Sequence, residues 1–201
     1  MSQRTVDGIG IDYDGTIADT GAMKSAWIKE HLAMSVPPWE TDRTLCVPLI
    51  GEDNYERMGR HVYAPAASLR AEEVPGVAAA IQALAARHRI YVVTARNAQQ
   101  IASCQQWLER HGLAAYITGY LSSAARNPDG SRVSKGQLCR DHGIGVLIDD
   151  DERHLRDVDL PGLQRILLKD GCDEPWTPAA GIALATSWPQ VQQLLSGKGD
   201  M

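Results

Sequence analysis

The stretch Val6-Asp7-Gly8-Ile9-Gly10-Ile11-Asp12-Tyr13-Asp14-Gly15-Thr16 decides the fold of this chain. Its isoleucines alternate with glycines, which predicts a buried strand whose glycine face is closely approached by another segment. Because an unpaired carboxylate is costly to bury, we expect Asp12 and Asp14 at the carboxyl end of this strand, where α/β proteins bind ligands. Two carboxylates on the same side of an extended chain repel each other unless a cation or a proton lies between them. The stretch therefore predicts a magnesium site with an acid–base partner, or else a strained arrangement.

The composition is that of a soluble globular protein. The chain has 201 residues, 44% of them apolar and 22% charged, which predicts one domain or one domain with a small insert. A formal net charge of -5 argues against a nucleic-acid backbone as the main partner. No apolar run reaches the roughly 18 residues of a membrane span, and the first residues lack a signal-peptide core. The cysteines lie far apart and form no C-x-x-C pair, which predicts free thiols in a reducing cytoplasm (Cys46, Cys104, Cys139, Cys172).

Residues 21–70 are predicted to form a helical insert after the first strand. Helical spacing of apolar residues predicts helices over 23–34 and 52–63, the first stopped by Pro37-Pro38. Residues 39–50 are marked by proline and are expected to be a loop. This block contains no convincing strand, so we expect a helical cap at 21–70 and an α/β core made of 1–20 and 71–201.

Strands and helices alternate from residue 74 onward. The strand candidates are 90–93, 116–118, 145–148 and 163–168, and the helix candidates are 76–88, 98–111, a helix capped by Ser134, and 189–195. This alternation predicts a parallel, doubly wound α/β sheet.

Reactive side chains follow three of the predicted strands. Asp12 and Asp14 follow the first, Thr94 ends the second, and Asp149-Asp150 ends a later one. The carboxyl ends of parallel strands lie along one edge, so these groups are expected to converge, with Lys135 in reach. Such a set suits a phosphoryl group: magnesium and lysine neutralise its charge, Thr94 and loop amides donate hydrogen bonds, and a carboxylate can attack phosphorus.

Four segments resemble the motifs of the haloacid dehalogenase-like (HAD) superfamily, in the family's order. Asp12-Tyr13-Asp14-Gly15-Thr16 is similar to its first motif, D-x-D-G-T, and Val92-Val93-Thr94 to its second. Lys135 matches the third, and Leu147-Ile148-Asp149-Asp150 matches the fourth. The resemblance covers about residues 6–170 and implies a Rossmann-like core with a small cap inserted after the first motif.

The resemblance also implies a role for each motif residue. Asp12 would be the nucleophile and Asp14 the general acid and base. Phosphate binding would fall to Gly15, Thr94, Ala95 and Lys135. Mg²⁺ would be held by Asp12, Asp14 through its backbone carbonyl, Asp149 and Asp150; Asp151, a third acid in the run, leaves the choice of ligand open. Dehalogenases of the superfamily carry tyrosine and phosphonatases alanine in place of the second aspartate, so Asp14 favours phosphate chemistry.

The function that follows is hydrolysis of a small soluble phosphomonoester, with a nucleotide as the first candidate. Asp149-Asp150 and Ser187-Trp188-Pro189-Gln190-Val191 resemble the 5'-deoxyribonucleotidase-type members most. A phosphomutase or phosphotransferase acting on a sugar phosphate shares every motif, and a non-catalytic binding protein remains a second alternative. A signalling receiver domain is disfavoured, because there the acidic pair precedes the lysine. The sequence sets neither the substrate nor the oligomeric state.

Other side chains are interpreted more simply. The six histidines show no metal spacing and are interpreted as structural or surface residues. The aromatic residues of the cap are expected to serve packing (Trp27, Trp39, Tyr55, Tyr63). We further expect the second cap helix to face the cleft, with Arg57 and Arg60 setting specificity.

Overall fold

A single parallel sheet organises the chain in the computed structural model, which describes residues 7–156, 158 and 160–196. Residues 1–6, which include Val6 of the opening stretch, and residues 197–201 lie outside the described part of the predicted core. Within them the sheet has six strands in the order β3-β2-β1-β4-β5-β6, every neighbouring pair parallel. The strands are β1 Gly8–Ile11, β2 Arg89–Thr94, β3 Ile117–Ser122, β4 Ile144–Asp149, β5 Gln164–Leu168 and β6 Ile182–Ala185. The predicted doubly wound α/β fold is confirmed.

The helices divide into an inserted group and a group that flanks the sheet. Four helices follow β1: α1 Thr20–Leu32, α2 Arg43–Ile50, α3 Glu52–Val62 and α4 Pro65–Ser68. The remaining described helices are α5 Val77–Ala85, α6 Ala98–Arg110, α7 Lys135–Asp141, α8 Glu152–Arg156 and α9 Trp188–Ser196. None of the described helices is long and apolar enough to cross a membrane.

The two faces of the sheet bury different side chains. Ile9 and Ile11 of β1 join the larger core on one face, together with Trp107 of α6 and Trp188 of α9. On the other face β1 presents glycines, and a Cβ added at Gly10 would stand 2.9 Å from Cγ2 of Val93. The glycines therefore allow the close approach that the sequence predicts, and β1 is packed on both faces as a central parallel strand requires.

The structure differs from the sequence-based elements at three places. Residues 39–50 were expected to be a loop, but a short 3-10 turn at Pro38–Glu40 leads into α2. Asp42 caps this helix by accepting hydrogen bonds from the amides of Thr44 and Leu45, and the helix contains Pro48 in its interior. Strand β3 continues to Ser122, well beyond residue 118, and β6 follows the strand that was expected to be last.

Residues 21–70, which we call the cap segment, contain a hydrophobic cluster of their own. Its described residues form helices and no strand, as predicted. The cluster's fully or nearly fully buried members are Trp27, Ile28, Val36, Cys46, Ile50, Met58 and Val62. The cap segment is tied to the core by Lys169, after β5, whose buried Nζ lies 3.1 Å from both Oδ2 of Asp42 and the carbonyl oxygen of Trp39. The division into cap and core at residues 20 and 70 stays a prediction.

All four cysteines lie in the described part of the chain, where each is buried and unpaired. The absence of disulfides among them agrees with the expected free thiols.

Candidate active site

The first acidic residue of the opening stretch lies at the end of β1. The amide of Asp12 donates to the carbonyl oxygen of Ile148 at 2.9 Å, which extends the β1–β4 pairing by one residue and places the Asp12 carboxylate at the sheet edge. A tight turn follows, in which Ile17 and Ala18 both donate to the carbonyl oxygen of Tyr13. Because these hydrogen bonds reverse the chain within a few residues, it turns away from the end of β1 and leaves space for side chains at the carboxyl edge of the sheet.

Lys135 joins the ends of β1 and β4. Ser134 caps α7 by accepting from the amide of Gln137, and Lys135 is the first residue of that helix. Its Nζ lies 2.5 Å from Oδ1 of Asp12 and 2.5 Å from Oδ2 of Asp149, and all three side chains are buried. The predicted convergence of these three residues is therefore present in the structure.

Three carboxylates at this edge could hold a metal ion. Oxygen atoms of Asp12, Asp149 and Asp150 all lie within 4.8 Å of one another. Carboxylate oxygens are the ligands that Mg²⁺ prefers, so the donor set fits this ion. Asp151 is engaged elsewhere, because both of its oxygens accept from Arg153. The carboxylate of Asp14 is not part of the cluster.

The pKa values of these carboxyl groups show how burial and charge compete. Burial raises the pKa of Asp12 to about 6; Lys135 opposes the rise, and Asp149 and Asp14 add to it. Asp149 is also buried, but the positive charges of Lys135 and His154 hold its pKa below the ordinary value. Burial, followed by the charges of Asp12 and Asp149, raises the pKa of Asp150 well above its ordinary value. A divalent cation would relieve this repulsion, which agrees with the fit of the donor set.

Gly15 packs against the carboxylate of Asp150. Its φ is +75°, and a Cβ added there would stand 2.3 Å from Oδ2 of Asp150. The glycine is therefore needed both for its backbone conformation and for the space that the carboxylate occupies. Its amide donates to the carbonyl oxygen of Ala18 at 2.8 Å within the turn, and its contact with a phosphate stays a prediction.

Thr94 and Ala95 extend the site from the end of β2. Thr94 is buried, and its hydroxyl accepts from the amide of Arg96 at 3.2 Å. Ala95 lines the cavity next to Asp12. Both residues lie where the sequence places them, and their contact with a phosphate stays a prediction.

Arg96 binds Asp14 through two hydrogen bonds and was not anticipated from the sequence. Its Nε lies 2.9 Å from Oδ2 and its Nη2 lies 2.7 Å from Oδ1 of Asp14. Nη1 donates to Oγ of Ser68 at 2.6 Å, and the guanidinium lies over the rings of Tyr13 and Tyr63. Burial alone would lower the pKa of Arg96, but Asp14 raises it, so the guanidinium is charged. The only sequence signal is its position two residues after the end of the second motif.

His154 also belongs to the site, against the interpretation that every histidine is structural or lies on the surface. It follows β4 on α8, its Nδ1 lies 3.2 Å from Oδ1 of Asp149, and its ring lines the cavity beside Asp12. Burial lowers its pKa, but the charge of Asp149 outweighs this effect and the pKa rises to about 9. His154 is therefore a second cation at the end of β4.

A cavity of about 180 Å³ lies between the sheet edge and the cap segment. The core contributes Asp12, Asp14 and Asp150 among others. The cap segment contributes Lys24, Asp42, Arg43, Tyr55 and Tyr63. Two of the four aromatic residues expected to serve packing thus also line the cavity.

Helix α3 meets the cavity through Tyr55, not through the arginines expected there. Arg57 and Arg60 are exposed; Arg57 contacts Asn54 and lies over the ring of Trp27 in α1, and Arg60 pairs with Glu56. The helix faces the cleft as expected, but neither arginine lines the cavity, and their effect on substrate specificity stays a prediction. Residues 57 and 60 lie two and five positions after Tyr55, and neither spacing matches the three- or four-residue period of one helix face.

Comparison with models of known protein families gives no match, and comparison with curated protein sequences gives none. Solved structures do match. A haloacid dehalogenase-like protein of unknown function from Agrobacterium tumefaciens has a TM-score of 0.64 at 13% identity, over 96% of this chain and 99% of that one. A predicted phosphoglycolate phosphatase from Haemophilus somnus has a TM-score of 0.58 at 15% identity, over 96% and 100%. The HAD-hydrolase YfnB from Bacillus subtilis, bound to magnesium, has a TM-score of 0.58 at 12% identity, over 96% and 99%. The structural neighbours are HAD-superfamily hydrolases, and the chain has their fold.

Proposed function

We propose that this chain is a magnesium-dependent phosphatase of the HAD superfamily that hydrolyses a small phosphomonoester through an aspartyl-phosphate. The observation that carries the proposal is the buried contact of Lys135 with Asp12 and Asp149 at the edge of a cavity that Asp14 also lines. A carboxylate nucleophile, a second carboxyl group and a fixed cation are the groups that phosphoryl transfer through an enzyme carboxylate requires.

In the first step an oxygen of Asp12 attacks phosphorus and the bond from phosphorus to the ester oxygen breaks. Asp14, which must carry a proton at this point although Arg96 favours its ionised form, gives that proton to the ester oxygen, which leaves as an alcohol. In the second step Asp14 takes a proton from water, and the water oxygen attacks the phosphorus on Asp12. Inorganic phosphate leaves, and Asp12 and Asp14 return to their starting states. Lys135 stays beside Asp12 throughout and offsets the charge of the transferring group.

Asp12, Asp149 and Asp150 would hold Mg²⁺, with the backbone carbonyl of Asp14 as a further ligand. When bound, the ion supplies positive charge at the transferring phosphoryl group.

The cavity favours a short leaving group. Its volume of about 180 Å³ is well below the roughly 300–1,000 Å³ of sites that enclose drug-sized ligands. This supports a small phosphorylated compound over a nucleotide. One observation favours the nucleotide as the second candidate: a neighbouring cavity of about 390 Å³ shares Ala95 and His154 with the first and adds Lys135, Arg126 and Arg132.

The proposal is tested by incubating the purified protein with phosphate esters and magnesium. The panel contains 4-nitrophenyl phosphate, small phosphorylated acids, sugar phosphates and nucleoside monophosphates. We expect phosphate release with Mg²⁺, almost none with excess chelator, and none from Asp12→Asn. Phosphorus NMR of the products separates hydrolysis from the mutase alternative, which would yield an isomeric ester. Full activity in chelator would contradict the metal requirement. Turnover by Asp12→Asn would contradict the assignment of Asp12 as the nucleophile. The absence of a reaction with any ester would favour a non-catalytic binding protein.

A further inference from the structure

Lys24 lies in the wall of the active-site cavity and has no carboxylate partner. It belongs to α1 of the cap segment, is only 5% exposed, and lines the cavity opposite the acidic residues of the core. Within the described part of the chain, the other cations of this wall all form ion pairs: Arg43 with Glu52, Arg153 with Asp151, and His154 with Asp149. Lys24 forms none within 4.0 Å there.

The surroundings of Lys24 keep it charged. Its Nζ lies 5.7 Å from the centre of the Tyr63 ring and is hydrogen-bonded to the Tyr63 side chain, whose raised pKa keeps it neutral, so this partner does not balance the charge of Lys24. Burial alone would lower its pKa, but Tyr63 and Tyr55, and then Asp150 and Asp14, raise it well above the ordinary value. A buried ammonium is costly unless an anion or several hydrogen-bond acceptors compensate it. The two carboxylates that act on Lys24 are committed elsewhere, since Arg96 binds Asp14 and Asp150 belongs to the acidic cluster.

We propose that Lys24 binds a carboxylate on the leaving group of the substrate, so that the enzyme prefers phosphorylated hydroxy acids of a few carbon atoms. This inference rests on the proposed phosphatase function and adds the class of substrate. A carboxylate carries a single charge, which one ammonium matches, and it fits the short space that a cavity of about 180 Å³ leaves. The rings of Tyr55 and Tyr63 line the cavity and would flank the carbon chain.

The test compares two esters that differ only in this charge. Phosphoglycolate carries a carboxylate, and its primary amide has the same shape without the charge. We expect wild-type protein to show a higher kcat/KM for phosphoglycolate. Lys24→Met should lower the ratio of kcat/KM for phosphoglycolate to that for the amide by about 10–100-fold, the range expected for one hydrogen bond to a charged group. Lys24→Arg should restore part of it. Lys29→Met is the matched control, because Lys29 is exposed on the same helix, and it should leave the preference unchanged.

A role of Lys24 in folding or in holding the phosphoryl group would lower activity on both esters equally. An unchanged ratio in Lys24→Met, or no preference in wild type, would therefore overturn the inference and leave the phosphatase function intact. If no ester is hydrolysed, including 4-nitrophenyl phosphate, the proposed function fails on its own. Calorimetry then still tests the subsite, since phosphoglycolate should bind more tightly than its amide to wild type and equally to Lys24→Met. Equal binding of the two esters to wild type would overturn it.

Discussion

Arg96 and Asp14 are held together by two parallel hydrogen bonds in a buried environment, and the third arm of the guanidinium reaches Ser68 in α4. The residue proposed as general acid and base is therefore oriented by a side chain that also contacts the end of the cap segment. A planar fork fixes a carboxylate in two directions, whereas a lysine ammonium provides a single point of attachment.

Replacing Arg96 with lysine should impair the transfer of the proton to the leaving group. The charge is kept but the orientation of Asp14 is lost, so kcat/KM should fall by about 10-fold or more for esters with poor leaving groups. Aryl phosphates with acidic phenols need little acid help and should be affected less. A series of aryl phosphates measures this as a steeper dependence of kcat/KM on the pKa of the leaving phenol.

Arg89→Lys is the control for Arg96→Lys, since Arg89 forms an exposed ion pair with Asp7 far from the site. An equal fall for all leaving groups would mean that Arg96 serves only folding.

Asp12→Asn and Asp14→Asn should fail at different steps. The amide of Asp12→Asn cannot attack phosphorus, so no covalent intermediate should form. Asp14→Asn keeps the nucleophile but loses the base, and losing general catalysis costs about 10²–10⁴-fold. With an aryl phosphate, Asp14→Asn should give a burst of phenol and a mass increase of one phosphoryl group on Asp12. Normal turnover by Asp14→Asn, or a label on another residue, would refute the assigned roles.

Gly15→Ala should weaken magnesium-dependent activity as well as stability. A Cβ at this position would collide with the carboxylate of Asp150. The alanine would also have to adopt a left-handed backbone conformation, which costs about 1–2 kcal/mol. Gly112→Ala separates the two effects, because Gly112 has a φ of +68° and open space around it. Thermal unfolding should show a loss of stability in both variants, and a magnesium titration should show weaker activation in Gly15→Ala alone. Equal magnesium dependence in both variants would mean that Asp150 tolerates displacement.

Asp170→Asn should stabilise the protein at neutral pH. Burial and the charge of Asp19 raise the pKa of Asp170 to about 6, above the roughly 3.9 of an unfolded chain. The folded state therefore binds more protons between about pH 4 and pH 6, and stability falls as the pH rises through this window. Because the side chain is half-buried, we expect a gain of about 1 kcal/mol at pH 7.5, or roughly 2–4 °C in Tm, and none near pH 4.

The exposed Asp173→Asn serves as the control for Asp170→Asn and should leave Tm unchanged. A similar gain at both pH values would show that ionisation of Asp170 is not its source.

The sheet and the convergence of Asp12, Lys135 and Asp149 were predictable because they depend on local patterns and on the rule that parallel strands end along one edge. Strand β6 was missed because its four residues, Ile-Ala-Leu-Ala, lack the β-branched enrichment of the other strands. Helix α2 was missed because Pro48 concealed it, although Asp42 is a recognisable cap.

Arg96, His154 and Lys24 were missed for a different reason. Their partners are set by tertiary contacts, and neither helical spacing nor a motif marks them as members of the site. The sequence alone therefore does not predict the partners of two kinds of residue: charged residues that follow a motif closely, and charged residues on an apolar helix face.

Asp42 uses its two carboxylate oxygens for different tasks: Oδ1 accepts from the first amides of α2, and Oδ2 contacts Lys169 behind β5. Removing the Asp42 side chain would leave the Lys169 ammonium buried without its carboxylate and α2 without its capping group. One side chain therefore serves local and tertiary structure at once, so a substitution at Asp42 is expected to destabilise both the first turn of α2 and its attachment to the end of β5.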